Sequence, residues 1–328
     1  MVGKLTSDAK LSGSKAPVLM GEAHPSFGDS RNDLMAQVLN AQGKGNYQTS
    51  QFTGSEPADW GNELESTIIR KAVERLGIDK YDDEVTEVYS YGDMFSVSLD
   101  GILFNPDPKI ISSSPGIILM NGQDRIGLVG NGIIESKLTS APYTENPPPY
   151  RGPWQLQMQM LCFGCDWGVI ATLYQGTRLV LNVYEANKEQ QSALIEAAED
   201  FYSRLDGPDW YPAMDGADAS RTYGNGEDHL PPVDLEPIAD IALEYYEARR
   251  AAKATEAYYK SLEPKLMDHM ATHENAFLND ENGERLFEVK WPTRTTKPQP
   301  EKIIPAKPGK VERQKSLTIS AKWMGDDE

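Results

Sequence analysis

Apolar and polar positions change period several times along the chain, and each change marks an element. After Trp60-Gly61-Asn62-Glu63-Leu64-Glu65, apolar residues recur as Ile68, Ile69, Ala72, Val73 and Leu76 and stop at Gly77. That spacing predicts a helix with one buried face and a glycine stop, with Glu65 near its start. The runs Phe95-Ser96-Val97-Ser98-Leu99-Asp100 and Gly132-Ile133-Ile134-Glu135-Ser136-Lys137 alternate near their ends with a period of two, which predicts strands. Between them, Asn121-Gly122 signals an inserted β-hairpin. Trp154 to Leu161 reads as a helix on which Gln155, Gln157 and Gln159 cannot all share one face. At least one amide then points inward, where it needs partners.

Beyond this stretch, Trp167–Tyr174 and Thr177–Tyr184 flank Gln175-Gly176 as a hairpin. Residues 187–205 read as a helix with Leu194, Ala197, Ala198, Phe201 and Leu205 on its apolar side. Asp206 to Pro232 is rich in Gly, Pro and Asp and reads as a linker or long loop. A long helical pattern runs from Asp234 to near Asn275, with a break or kink expected at Pro264. Glu281-Asn282-Gly283 then turns into Leu286–Trp291, residues 292–315 carry repeated Pro and Lys and look extended, and Leu317–Trp323 reads as a final strand. The expected organisation is a core over 1–206, a linker over 207–232, a helical extension over 233–280 and a hairpin with a basic Pro/Lys-rich segment over 281–328.

At 328 residues and 39% hydrophobic, the chain can bury one large core or two modest ones. It has no apolar run long enough to span a bilayer and no signal-peptide h-region, so the expectation is a cytoplasmic protein without a membrane partner. Cys162 and Cys165 form a lone C-x-x-C on the predicted glutamine helix, expected to be buried, inert thiols. His269 and His273 have a helical i, i+4 spacing, but Glu274 is misplaced for the H-E-x-x-H zinc motif. The tyrosines at 245, 246, 258 and 259 sit at helical spacing and are expected in a core.

The sequence's chemistry concentrates in two strands. A period of two places Ser96, Ser98 and Asp100 on one strand face, and Glu135 and Lys137 on one face of another. Two carboxylates and a lysine on adjacent strands form the Asp…Glu-x-Lys constellation of a metal-dependent nuclease. Mg²⁺ is hard, keeps several waters and is usually held by one or two carboxylates plus substrate phosphate. The lysine would orient or deprotonate the attacking water, or stabilise charge on phosphate. The alternative is a solvated Glu-x-Lys ladder on a surface strand.

More of the chain enters the pattern when the motifs are taken in order: Leu11-Ser12-Gly13-Ser14, Trp60-Gly61 before Glu65, Ser98-Leu99-Asp100-Gly101, Glu135-Ser136-Lys137, Gln157-Met158-Gln159, and Ala197-Ala198-Glu199-Asp200-Phe201-Tyr202. Over about residues 10–206 this order resembles the YqaJ-type viral recombinase and lambda exonuclease family, a branch of the PD-(D/E)xK nucleases. The resemblance implies an α/β, restriction-endonuclease-like core, a central mixed sheet flanked by helices, here with a helical C-terminal extension. It implies Mg²⁺, with Mn²⁺ as a substitute, on Asp100 and Glu135, and Glu65 as a further metal-site carboxylate. Lys137 would act on water or phosphate, Gln157 would line the site, and Ser12, Ser14 and Ser98 would hold a 5′-phosphate.

The implied activity is 5′→3′ exonuclease action on double-stranded DNA ends, yielding single strands for phage recombination or replication. The implied partners are a single-strand annealing protein and further copies of the chain in a ring trimer. The family arginine six residues after the lysine is absent: Tyr143 stands there, and Lys10 or Lys15 is expected to substitute.

Net charge complicates a DNA-binding reading. The chain carries −18 overall, but Lys290 to Lys322 holds nine Lys/Arg against two acids, a +7 stretch that would be a DNA contact or a solvated extension. The alternatives to an exonuclease are a repair or restriction-type endonuclease of the same fold and a non-catalytic acidic DNA mimic. The complete Glu65, Asp100, Glu135, Lys137 set argues against the mimic.

Overall fold

A computed structural model describes residues 6–24, 29–49, 56–105, 107–120, 122, 124–207, 209–224 and 229–293. These fall into two compact units that meet in sequence near residue 225. The first unit begins with a 3-10 turn, Gly13–Lys15, and the helices α1 (Ala16–Leu19), α2 (Arg31–Ala41) and α3 (Glu56–Leu76). Strands β1 (Lys80–Asp82), β2 (Tyr89–Tyr91), β3 (Phe95–Val97), β4 (Gly101–Phe104), β5 (Lys109–Ser112), β6 (Ile117–Leu119), β7 (Arg125–Leu128) and β8 (Gly132–Thr139) follow. Then come α4 (Pro153–Phe163), β9 (Trp167–Tyr174), β10 (Arg178–Glu185), α5 (Lys188–Ser203) and α6 (Gly216–Tyr223).

Six strands form one mixed sheet in the order β1-β4-β8-β9-β10-β6. β8 and β9 are parallel, joined through α4, whereas β4–β8 and β9–β10 are antiparallel. Alternation along the strands feeds two cores. Ile134, Val169, Ala171 and Leu181 cluster with Ile69, Val73 and Leu76 of α3, and Ile133 and Ile170 cluster with Leu156 and Met158 of α4 and Phe201 of α5. The result is the expected α/β architecture, a mixed sheet with helices on both faces.

Several elements differ in detail from the sequence reading. α3 starts at Glu56, so Glu65 lies mid-helix, one turn before Ile69. The Phe95–Asp100 run is not one strand. β3 ends at Val97 and pairs with β2, the chain bends at Asp100, and β4 enters the main sheet. Ser96 and Asp100 therefore do not share a strand face.

The insertion before β8 is also not a simple hairpin at Asn121-Gly122, and Asn121 itself lies outside the described residues. β5 pairs with β7, while β6 between them leaves to pair in parallel with β10. The supposed linker after residue 206 contains α6, held by the buried Asp218.

The second unit holds α7 (Ala239–Met270) and the hairpin β11 (Asn275–Asn279)–β12 (Arg285–Lys290). α7 continues through Pro264. The missing proline N–H leaves the Lys260 carbonyl without its helical donor, and that turn is exposed, so water can take the bond. The helix ends at Met270, so His273 is not on it, and no group of three or more His, Cys, Asp or Glu side chains could hold a metal ion among the described residues. Tyr258 and Tyr259 are exposed rather than core. Most of the basic Lys290–Lys322 stretch and the expected strand Leu317–Trp323 lie outside the described residues. No helix among those described is long and apolar enough to cross a membrane.

Candidate active site

Gly101 brings the two functional strands together. A Cβ there would lie 2.8 Å from Ile134 Cγ2 and 3.0 Å from the Asp82 carbonyl, so only glycine lets β4 lie this close to β8. Gly101 pairs with Ile134, and one residue before it the Asp100 side chain extends the ladder. Its Oδ2 accepts the Ser136 N–H at 2.8 Å. Asp100 is thus fixed beside the Glu135-Ser136-Lys137 segment from a bend rather than from a strand.

Glu135 points to the α4 side of the sheet and is 2% exposed. Its Oε1 accepts Lys137 Nζ at 2.6 Å and Gln155 Nε2 at 2.6 Å, and its Oε2 accepts Gln159 Nε2 at 2.7 Å. Lys137 Nζ also donates to Gln155 Oε1 at 3.1 Å. Gln159 Nε2 reaches the Ser98 carbonyl at 3.1 Å, and its own Oε1 is buried without a partner. Gln155 and Gln159 are one helical turn apart and clamp the carboxylate from one face of α4.

Gln157 faces away from this cluster. Its amide donates to the Glu185 carbonyl at 3.0 Å and accepts the Asn187 N–H at 2.9 Å, tying α4 to the start of α5. A step of two residues turns a helix by about 200°, so Gln157 cannot line the site that Gln155 and Gln159 line. The amides do split between faces as the sequence requires, but the pair at the carboxylate is 155 and 159.

Three acids and one lysine share this region. Burial, then the Glu135 charge, pushes the Asp100 carboxyl well above its ordinary range. Burial, then Glu135, also raises Glu65. Burial disfavours the Lys137 ammonium, but Glu135 and Asp100 more than offset it, and the group is held above the ordinary lysine range. In this arrangement the two carboxylates favour the charged form of the Lys137 ammonium. Glu65 accepts no hydrogen bond among the described residues. Its charge acts on Asp100, whose carboxyl it helps to raise.

The donor set suits a hard divalent cation. An ionised carboxylate offers about four acceptor directions. Glu135 uses three, Asp100 uses one, and negative charge exceeds positive in a largely buried place. Mg²⁺ asks for few carboxylates and retains water.

Lys137 opens onto a cleft of about 530 Å³ lined also by Ser14, His24, Asp29, Thr139 and Arg151. The Ser12-Gly13-Ser14 turn reaches the site because Gly13 sits against α4: a Cβ on it would be 3.3 Å from Gln155 Cγ and 3.5 Å from Gln159 Cγ. Ser12 Oγ and Ser14 Oγ are 3.4 Å apart, and the Ser98 hydroxyl belongs to an exposed residue. Tyr143 does not serve the cleft. It meets Tyr174 edge-on with Arg178 over its ring. Lys10 pairs instead with Asp93 at 3.4 Å, and neither it nor Lys15 lines the cleft. Besides Lys137, the basic side chain that does is Arg151, missed in the sequence because it ends a Pro-rich 3-10 turn, Pro149–Arg151, rather than standing at the family spacing.

Solved exonucleases are similar to this chain. An alkaline exonuclease from Laribacter hongkongensis is 16% identical, with 61% of this chain and 89% of that one covered and a TM-score of 0.41. A phage-related exonuclease from Haemophilus somnus 129PT is 16% identical, with 60% and 94% covered and a TM-score of 0.39. No protein-family model and no curated protein matches the chain.

Cys162 and Cys165 are both free, and burial pushes each thiol up to about 12. Cys162 lies in the last turn of α4 and is half-buried, whereas Cys165 follows the helix and is buried.

Proposed function

We propose that this chain is a Mg²⁺-dependent deoxyribonuclease that degrades double-stranded DNA from its ends, 5′ to 3′, and leaves single strands for phage recombination or replication. One observation carries the reading: Asp100 and Glu135 converge across the β4–β8 pair while Lys137, bound to Glu135 at 2.6 Å, lines an open cleft. A solvated Glu-x-Lys ladder would leave Glu135 exposed and unclamped, and it is neither.

Asp100 and Glu135 would hold the cation, with Glu65 adding negative charge nearby. Bound there, it would supply Lewis acidity to the scissile phosphate and acidify water. The chain's own groups do the rest. Gln155 and Gln159 fix the Glu135 carboxylate in one orientation. The Lys137 ammonium stabilises charge developing on the phosphate, since its Nζ stands beside Glu135 and lines the cleft. Arg151, with Ser14 across the cleft, takes the terminal 5′-phosphate in place of the absent family arginine, because guanidinium binds phosphate with paired donors.

End-labelled duplexes test this directly. With Mg²⁺, a 5′-phosphorylated duplex should be degraded faster than a 5′-hydroxyl one, and Arg151→Ala should erase the difference. Without Mg²⁺ neither should be cut. Equal rates on both ends, or rapid cutting of closed circles, would favour endonuclease action and reject the end-directed reading.

A further inference from the structure

The second unit raises a different question. α7 spans 32 residues, about 48 Å of helix, yet among its residues only Met270 is buried. Ile241 is 65% exposed, Tyr259 48% and Leu266 50%. A solitary amphipathic helix gains little from exposing such groups, since helical stability in proteins comes mainly from packing one face.

One stripe of the helix, through exposed Ile241, Tyr259 and Leu266 and half-buried Tyr245 and Leu262, follows a strict pattern. From Ile238 to Leu266, alternating steps of three and four residues land each time on an apolar residue or, once, on a threonine. A 3-4 repeat sustained over four heptads is the sequence of a coiled-coil seam. Pro264 falls at the position opposite the seam, where the missing N–H does not disturb an interface. Nothing in a lone helix requires this.

We propose that α7 is the docking surface for α7 of a second copy of this chain, the two helices running antiparallel. Size and charge both select that orientation. About a two-fold axis between Ala252 and Thr255, Ile241 meets Leu266 of the second copy, Tyr245 meets Leu262, and Ala248 meets Tyr259. Each bulky side chain thus finds a smaller or complementary one. In a parallel, in-register pair, tyrosine would meet tyrosine and alanine would meet alanine, leaving alternate crowding and gaps.

The flanking positions agree. The antiparallel register sets Glu244 against Lys265 of the second copy and Arg249 against Glu256, and such flanking charges decide partner and orientation. Glu256 also pairs within its own helix with Lys260 at 2.6 Å, so the Glu244–Lys265 contact is the more telling of the two.

Sedimentation equilibrium of the full chain at micromolar concentration, combined with cysteine crosslinking, tests the proposal. The wild-type chain should have twice the mass of one copy. Ile241→Glu with Leu266→Glu should be monomeric with unchanged far-UV helicity of the first unit and unchanged DNA cleavage per chain. Glu244→Lys should weaken the dimer several-fold, and adding Lys265→Glu should restore it.

Under oxidation, Ala248→Cys with Tyr259→Cys should form a covalent dimer, and Ala248→Cys alone should not. Cys165 is buried and Cys162 half-buried, so Cys162→Ser in the background of both variants removes the competing thiol. A monomeric wild type would mean that something other than a second copy covers the seam, and it overturns the proposal. So does a dimer or a ring trimer that survives Ile241→Glu with Leu266→Glu, or crosslinking through Ala248→Cys alone, which marks a parallel pair.

Discussion

Two clusters of buried and half-buried acids in the first unit differ in how their carboxylates are satisfied. Asp218 in α6 is 2% exposed, and both its oxygens are taken. Ser30 Oγ donates to one, while Asn32 Nδ2 and the Met214 N–H donate to the other, and Arg221 lies 3.8 Å away. The result is a knot that pins α6 to α2. Asp100 accepts one hydrogen bond, from Ser136 N–H, Glu65 accepts none, and both carboxyls are pushed up by burial and by Glu135. Buried carboxylates are ordinary when donors saturate them. Carboxyls with few donors, close enough to raise one another, are the kind of group that a bound cation would stabilise.

Substitutions can break this comparison, and the largest effect belongs to the unsaturated cluster. Asp100→Ala or Glu135→Ala should lower single-turnover cleavage of an end-labelled duplex by about a thousandfold or more, and Lys137→Ala by about a hundredfold. In the saturated cluster, Asp218→Ala should cost on the order of 3 kcal/mol in denaturant unfolding, because it removes the acceptor of the Ser30 hydroxyl and of the Met214 N–H. The Mg²⁺ dependence of its residual activity should not move. A changed metal dependence in Asp218→Ala would erase the distinction between the clusters.

The α4 amides sharpen the contrast at smaller scale. Gln159→Ala should slow turnover by about ten- to a hundredfold, as loss of a residue orienting a ligand does. Gln157→Ala should leave turnover alone and lower the melting temperature, consistent with the loss of two buried hydrogen bonds, each worth about 1 kcal/mol. The smallest expected signal is chemical: with thiols raised to about 12, Cys162 and Cys165 should resist alkylation at pH 8 until the chain unfolds.

What the sequence made legible depended on how local the cause was. The α3 stripe, the β9–β10 hairpin at Gln175-Gly176 and α5 all follow from periodicity and turn chemistry within each segment, and each appears where the pattern put it. Glu135 and Lys137 were legible for the same reason, two residues on one strand face. Asp100 was found by type but misplaced on a strand, because the bend before Gly101 arises from a close approach to β8 that only the fold reveals.

The choice among Gln155, Gln157 and Gln159 depended on the rotation of α4 against the sheet, and the choice of Arg151 over Lys10 or Lys15 on how the Pro-rich segment after β8 returns. α6 was invisible because its stability comes from Ser30 and Asn32, more than 180 residues earlier. α7 shows the opposite case. Its length and 3-4 repeat are written plainly in the sequence, whereas Tyr258 and Tyr259, expected in a core, are exposed.

The central claim is that Asp100 and Glu135 form an undercompensated site for a divalent cation. Thermal unfolding with and without millimolar Mg²⁺, on wild type, Asp100→Asn and Asp218→Asn, tests it without DNA. Asn at position 100 can still accept the Ser136 N–H, so only the charge is removed. Because a carboxyl raised in the folded state destabilises that state once ionised, Asp100→Asn should melt higher than wild type at neutral pH in the absence of metal. Mg²⁺ should raise the melting temperature of wild type and of Asp218→Asn but not of Asp100→Asn. An equal Mg²⁺ response in Asp100→Asn and wild type would contradict the account.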